Sequence, residues 1–194
     1  MIKKKTWIMM LMLFAVLLLF TGVVSAQDAE TDKQISDNTT LLILGCAIAV
    51  GVSGISAATG LTFSGSSAVA VAAEKPTLGS KLLVLQVLPM TQSVYGLLTA
   101  ILMLMGSGLL GGSINLTVMG NPVIGPAAIL IGLVVALTST SAINQGILAS
   151  SSIGAVGRNP DVFTKGIIYT VTTETMAIFG LLTAIFMMVG LGLL

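Results

Sequence analysis

The chain has 194 residues, 55% of them hydrophobic and 8% charged, with a formal net charge of +1, whereas an ordinary soluble domain carries about 25% charged residues. One cysteine and no histidine exclude a disulfide framework, Cys/His metal sites and Ser-His or Cys-His nucleophiles. A near-neutral chain without a basic patch excludes nucleic acid as a partner. The mean hydropathy of +1.08 and the long apolar runs describe an all-α membrane protein.

The first segment, residues 1–26, has Lys3, Lys4 and Lys5, then an apolar stretch from Trp7 to Phe20, then Val24-Ser25-Ala26. That is the plan of a cleaved N-terminal signal peptide, with retention as an extra helix as the rival reading. Residues 27–40, "QDAETDKQISDNTT", read as a polar, flexible external segment. Four spans follow, at about 41–73, 82–110, 122–155 and 166–194. The loops at 74–81 and 157–165 carry Lys75, Lys81, Arg158 and Lys165, while the loop at 111–121 is uncharged. The positive-inside rule therefore places both charged loops in the cytoplasm and both mature termini outside, in a multi-pass protein of the cell membrane. Asn38 and Asn115 head Asn-x-Thr sequons on the outer side, a weak glycosylation signal.

Span two and span four repeat one another. "YGLLTAILMLMGSGLL" (95–110) returns as "FGLLTAIFMMVGLGLL" (179–194), 84 residues later, with 11 of 16 positions identical. The same offset pairs Pro76 with Pro160 and Lys81 with Lys165. The chain thus divides into a first hairpin, 41–110, and a second, 122–194, in parallel orientation, unlike the inverted repeats of many transporters. Spans one and three are rich in small residues that let helices approach closely in lipid; spans two and four are richer in Leu, Ile and Met, as suits an outer layer.

Glu174 is the only charge between Gly166 and Leu194. A carboxylate at mid-membrane costs several kcal/mol and is by default a functional residue. In the first repeat Met90 occupies its place, inside "LPMTQSVYG" (88–96). Leu88, Thr91, Gln92 and Tyr95 share one helical face. Pro89 removes a donor and frees backbone carbonyl oxygen, first that of Leu85. Span three adds Thr138, Ser141 and Gln145 on one face. One carboxylate, two amides and several hydroxyls form an all-oxygen set of the kind that suits a hard cation. The competing reading is interhelical polar glue, which suits Gln145 or Thr91 taken singly.

"LPMTQSVYG", "INQG" and "TTETMAIFG", in that order on a duplicated hairpin, closely resemble the proteolipid (K- or c-type) rotor subunits of V-type and archaeal-type rotary ATPases over nearly all of 41–194. The resemblance implies a homo-oligomeric rotor ring in which Glu174 carries Na+ or H+. In the sodium-type pattern the ion is held by Glu174, Thr91, Gln92, Gln145 and the carbonyl of Leu88, and Tyr95 hydrogen-bonds the carboxylate. It further implies a stator membrane subunit that contributes an arginine, and central-stalk subunits meeting the loops at 74–81 and 157–165. The subunit itself would be non-catalytic, and the chain has no phosphate loop of the GxxxxGK[ST] kind. Two readings from other classes stand beside this one. A small four-helix cation or drug transporter would use Glu174 but would want more than 5% aromatics around a bulky cation. A purely structural membrane protein would leave Glu174 without a use.

Overall fold

In the computed structural model the backbone is described from Ile2 to Leu194 and the side chains from Glu30 onward. Of residues 1–26 only the backbone from Ile2 is described, as the start of one helix, and the signal-peptide expectation continues to rest on the sequence. The chain is all-helical: α1 (Ile2–Glu74), α2 (Gly79–Val87), α3 (Thr91–Gly106), the short α4 (Leu116–Met119), α5 (Ile124–Ser139), α6 (Ser141–Arg158), α7 (Phe163–Val171) and α8 (Glu174–Gly190). Four stretches of the described residues are long and apolar enough to cross a membrane: Glu30–Glu74, Pro76–Gly106, Ile124–Arg158 and Pro160–Gly190. The shortest has 31 residues, about 46 Å of helix against a hydrocarbon core of about 30 Å. This is a multi-pass membrane protein.

The ends of the spans repeat with the sequence. Pro76 and Pro160 each open a 3-10 turn that starts a span, a position where the missing N–H costs nothing. At the opposite end Gly108 and Gly192 adopt φ of +80° and +72°, the left-handed conformation that closes a helix. Behind Gly192 the Leu193 N–H donates to the Met188 carbonyl at 2.9 Å, and both side chains are buried.

Three spans break midway. A 3-10 turn, Leu88–Met90, separates α2 from α3 around Pro89, where the ring cannot continue the α-helical ladder. At the equivalent depth Thr172 and Thr173 separate α7 from α8 without a proline. There hydroxyls take over: Thr172 Oγ1 donates to the Tyr169 carbonyl at 2.6 Å and Thr173 Oγ1 to the Thr170 carbonyl at 2.8 Å. Thr140 does the same between α5 and α6, donating to the Leu137 carbonyl at 2.6 Å. Irregular backbone at membrane depth is tolerated where such groups satisfy it.

Span one runs alongside span three in the same direction. Gly45 lies against Gly132 and Ala128, Gly60 against Gly146 and Ala142, and a Cβ on any of these glycines would overlap the facing backbone. Farther along, the Ser67 and Ser150 hydroxyls are 2.6 Å apart and Lys75 Nζ donates to the Gly157 carbonyl at 2.6 Å. Against span two the direction is reversed: Cys46 Sγ contacts the Ala100 carbonyl and Ser64 Oγ donates to the Gln86 carbonyl. Span four packs on span three, with Gly180 against Thr138. An apolar core lies at each end, one around Leu42, Met103, Ile131 and Met188, the other around Leu82, Leu85, Ile153 and Val156. Between them is a polar waist containing the buried Ser53, Gln92, Ser139 and Gln145.

Residues 27–40 depart from expectation. From Glu30 the segment continues the helix into span one, and Asn38 is completely buried. Its Nδ2 donates to the carbonyls of Met119 and Asn121, both at 2.8 Å, and its Oδ1 accepts from Gly125 N–H at 3.1 Å and Gln34 Nε2 at 3.2 Å. All four amide positions are used, so this asparagine is a staple rather than a sugar acceptor. Asn115 caps α4, accepting from Val118 N–H at 3.3 Å. Replacing Asn38 by Leu leaves two carbonyls and an N–H without this partner and is expected to cost about 2–4 kcal/mol. Denaturation by SDS, followed by helical circular dichroism, reads this directly; an unchanged midpoint would mean the staple carries no stability.

Candidate functional site

The break before α8 makes Glu174 the first residue of that helix, where the exposed N–H groups and the macrodipole favour negative charge. Glu174 is half-buried, and its Oε1 accepts a hydrogen bond from the Tyr95 hydroxyl at 2.7 Å. Tyr95 stands on α3, one turn beyond the break at Pro89. A hydrogen bond to an ionised acceptor is roughly twice as strong as a neutral one, so this contact fixes the carboxylate against the neighbouring span.

One turn back on the same face of α3 is a second cluster. Gln92 Nε2 donates to Gln145 Oε1 on α6 at 2.7 Å, and both side chains are completely buried. The Thr91 hydroxyl lies 3.2 Å from Gln92 Oε1 and 3.0 Å from the Leu88 carbonyl. Gln145 Nε2 is buried with no hydrogen-bond partner. Buried polar atoms are nearly always satisfied, so this one marks room for a further polar group. The hydroxyl oxygens of Ser53, Ser139 and Ser141 are in the same condition.

Thus Leu88, Thr91, Gln92 and Gln145 are joined by hydrogen bonds, and so are Tyr95 and Glu174. Among the described residues no hydrogen bond links Glu174 directly to the first group. Tyr95 lies four residues from Thr91 and three from Gln92, so the two groups share one helical face. Thr138 is elsewhere. The break at Thr140 separates it from Gln145, and its side chain lies on Gly180. The signal for that break was present in the run "TSTS" (138–141), because consecutive hydroxyl side chains compete for backbone groups.

Two glycines allow this convergence. A Cβ on Gly96 would overlap Ser53 and the Ala49 carbonyl, and a Cβ on Gly180 would overlap Thr138. These positions are 84 residues apart, in "YGLL" and "FGLL". Each lets a leucine-rich span press onto a small-residue span beside the waist. Among the described residues no three His, Cys, Asp or Glu side chains lie together. A cation here would rely on one carboxylate plus neutral oxygens, a donor set for a hard ion.

Comparison with known proteins assigns the repeat. The family model for the C subunit of ATP synthase matches twice, at residues 44–103 and 127–187, once in each repeat. Similar curated proteins include the A-type ATP synthase subunit K of Methanocaldococcus jannaschii, 37% identical over 147 residues, covering 76% of this chain. Another is the V-type sodium ATPase subunit K of Enterococcus hirae, 34% identical over 139 residues, covering 71% of this chain. The match spans 61% of the length of the archaeal relative and 83% of the enterococcal one.

Proposed function

This chain belongs to the family of ATP synthase C subunits, and from that premise we propose that it is a non-catalytic membrane rotor subunit of a rotary V/A-type ATPase that carries Na+ on Glu174. The observation that carries the reading is the pairing of a single mid-span carboxylate, held by Tyr95 at 2.7 Å, with a buried amide and hydroxyl cluster one turn away. Copies form a ring of tandem hairpins in the cell membrane, with both mature termini outside. A stator subunit exchanges the ion, and stalk subunits meet the loops at 74–81 and 157–165.

Facing lipid, Glu174 is neutralised by the bound ion. Thr91, Gln92, Gln145 and the Leu88 carbonyl supply neutral oxygens, and Tyr95 orients the carboxylate. An amide can turn its oxygen where its nitrogen stands with little change of shape. Gln145 Oε1 already accepts from Gln92 Nε2, so the two amides turn together. Gln145 then donates to Gln92 Oε1, Gln92 Nε2 donates to the Thr91 hydroxyl, and the Gln145 oxygen takes the unpartnered position. Each elementary charge moved across 100 mV is worth about 2.3 kcal/mol, and ring rotation couples that energy to ATP synthesis or hydrolysis in soluble subunits. The name of the enterococcal relative, a sodium ATPase subunit, supports Na+ over the alternative, H+.

Carbodiimide labelling of Glu174 in membranes, across pH and with or without Na+, tests the ion. The reagent attacks the protonated carboxyl. Expected is protection by Na+ that strengthens as pH rises, because Na+ and H+ compete for one carboxylate. Labelling that follows pH alone assigns the site to H+. A carboxylate that never labels removes the rotor reading.

A further inference from the structure

The residues that join the two repeats have counterparts, 84 positions away, on the free faces of the chain. Within the chain, span one meets span three through Gly60 against Gly146, Ser67 against Ser150 and Lys75 against the Gly157 carbonyl. Shifting each first-repeat residue forward by 84 and each second-repeat residue back by 84 gives a second set of pairs. Asn144 then faces Thr62, Ser151 faces Ser66 and Asn159 faces Ala73, and all six residues are exposed.

Two further observations fall on these faces. An open groove of about 350 Å³ lies between spans three and four, lined by Leu148, Ser151, Ala155, Lys165 and Tyr169 among others. Shifted back by 84, these become Ser64, Ser67, Val71, Lys81 and Leu85. Ser67 bonds Ser150, Val71 lies on Gly157, Lys81 stands 5.8 Å from the Phe163 ring and Leu85 joins the core shared with Ile153. The groove is thus the second repeat's counterpart of a surface that the first repeat buries on the second. Independently, Asn144 exposes a side-chain amide midway along span three and makes no hydrogen bond with the described residues. Lipid offers such an amide no partner, whereas a facing Thr62 hydroxyl does.

We infer that this groove and the Asn144 face of the second repeat receive the first repeat of another copy of the same chain, in the register that sets Asn144 against Thr62 and Ser151 against Ser66 of the neighbouring copy. The inference rests on the rotor reading and adds to it a specific register and polarity. The contact is head-to-tail, so it propagates from copy to copy and closes only as a ring. Its two versions differ in spacing. Gly60 and Gly146 bring backbones together inside a chain, while Asn144 and Thr62 hold them farther apart between chains, so close and wide contacts alternate around the small-residue helices.

Cysteine pairing in native membranes containing the whole complex, in a Cys46→Ala background, tests the register. The double variant Ser66→Cys/Ser151→Cys is expected to oxidise to a ladder of dimers and larger species that collapses on reduction. Neither single variant, with its one thiol, should form a disulfide dimer, because a head-to-tail contact never sets a residue against itself. The pair Ser67→Cys/Ser150→Cys should close within one chain, losing its free thiols without a change in mass. Monomers only from the first pair overturn the proposal, and so does a disulfide dimer from either single variant. A ladder together with Glu174 labelling indifferent to Na+ keeps this contact and removes the sodium assignment. Sodium-protected Glu174 without a ladder does the reverse.

Discussion

Glu174→Gln is expected to abolish ATP-driven Na+ uptake by membrane vesicles, by about a hundredfold or more, while the membrane sector is still recovered intact. Glutamine keeps the volume of the side chain and an oxygen able to accept from the Tyr95 hydroxyl, now 2.7 Å from Glu174 Oε1. It loses the charge alone. Packing around the start of α8 should persist, because Ala177 and Gly180, which bury that turn, are untouched. A neutral amide can neither hold a cation firmly nor be re-ionised in turn, so the roughly 2.3 kcal/mol per charge per 100 mV available from the gradient has nothing to act on. Glu174→Asp provides the graded comparison. It keeps the charge but withdraws it by one methylene from Tyr95, so uptake should fall without vanishing. Vesicles with Glu174→Gln that retained more than about a tenth of the uptake would mean that the charge travels on another group, and no other carboxylate lies between Gly166 and Leu194.

Much of this arrangement is legible in the residues, for physical reasons. Long apolar runs have few ways to satisfy their backbone in lipid, so the four spans follow from composition. Pro76 and Pro160 mark the starts of two of them. An isolated carboxylate is costly enough to stand out, and Tyr95 and Glu174, 79 residues apart, do meet. Other features rest on tertiary partners that no local pattern announces. Asn38 looks like part of a polar tail because four hydrogen-bonding groups that bury it come from Gln34 and from a stretch more than 80 residues away. The break at Thr172–Thr173 lacks the proline that makes its counterpart at Pro89 visible, and three hydroxyl-to-carbonyl bonds stabilise it instead. Thr138 and Gln145 belong to one face of an ideal helix, but the break at Thr140 parts them.

The glycines raise the second large effect. Gly146→Ala is expected to destabilise the protein by about 2–3 kcal/mol, near the upper end of overpacking costs, because the new methyl would overlap the backbone of Gly60 rather than a side chain able to turn away. Spans one and three can admit it only by separating. Gln145 is the adjacent residue, and its bond to Gln92 is 2.7 Å long and buried. Separation therefore lengthens the link between span three and α3, and Na+ should protect Glu174 less well as the fold loosens. Gly154→Ala, two turns along the same helix, is the matched comparison. A Cβ there meets nothing within 4 Å, so the substitution should leave sodium protection unchanged and add up to about 1 kcal/mol of helix stability. Unfolding midpoints in SDS and carbodiimide labelling of the two variants read both effects in one preparation. Equal behaviour at positions 146 and 154 would show that the helices do not meet glycine to glycine, and the close approach that aligns Gln92 with Gln145 would need another cause.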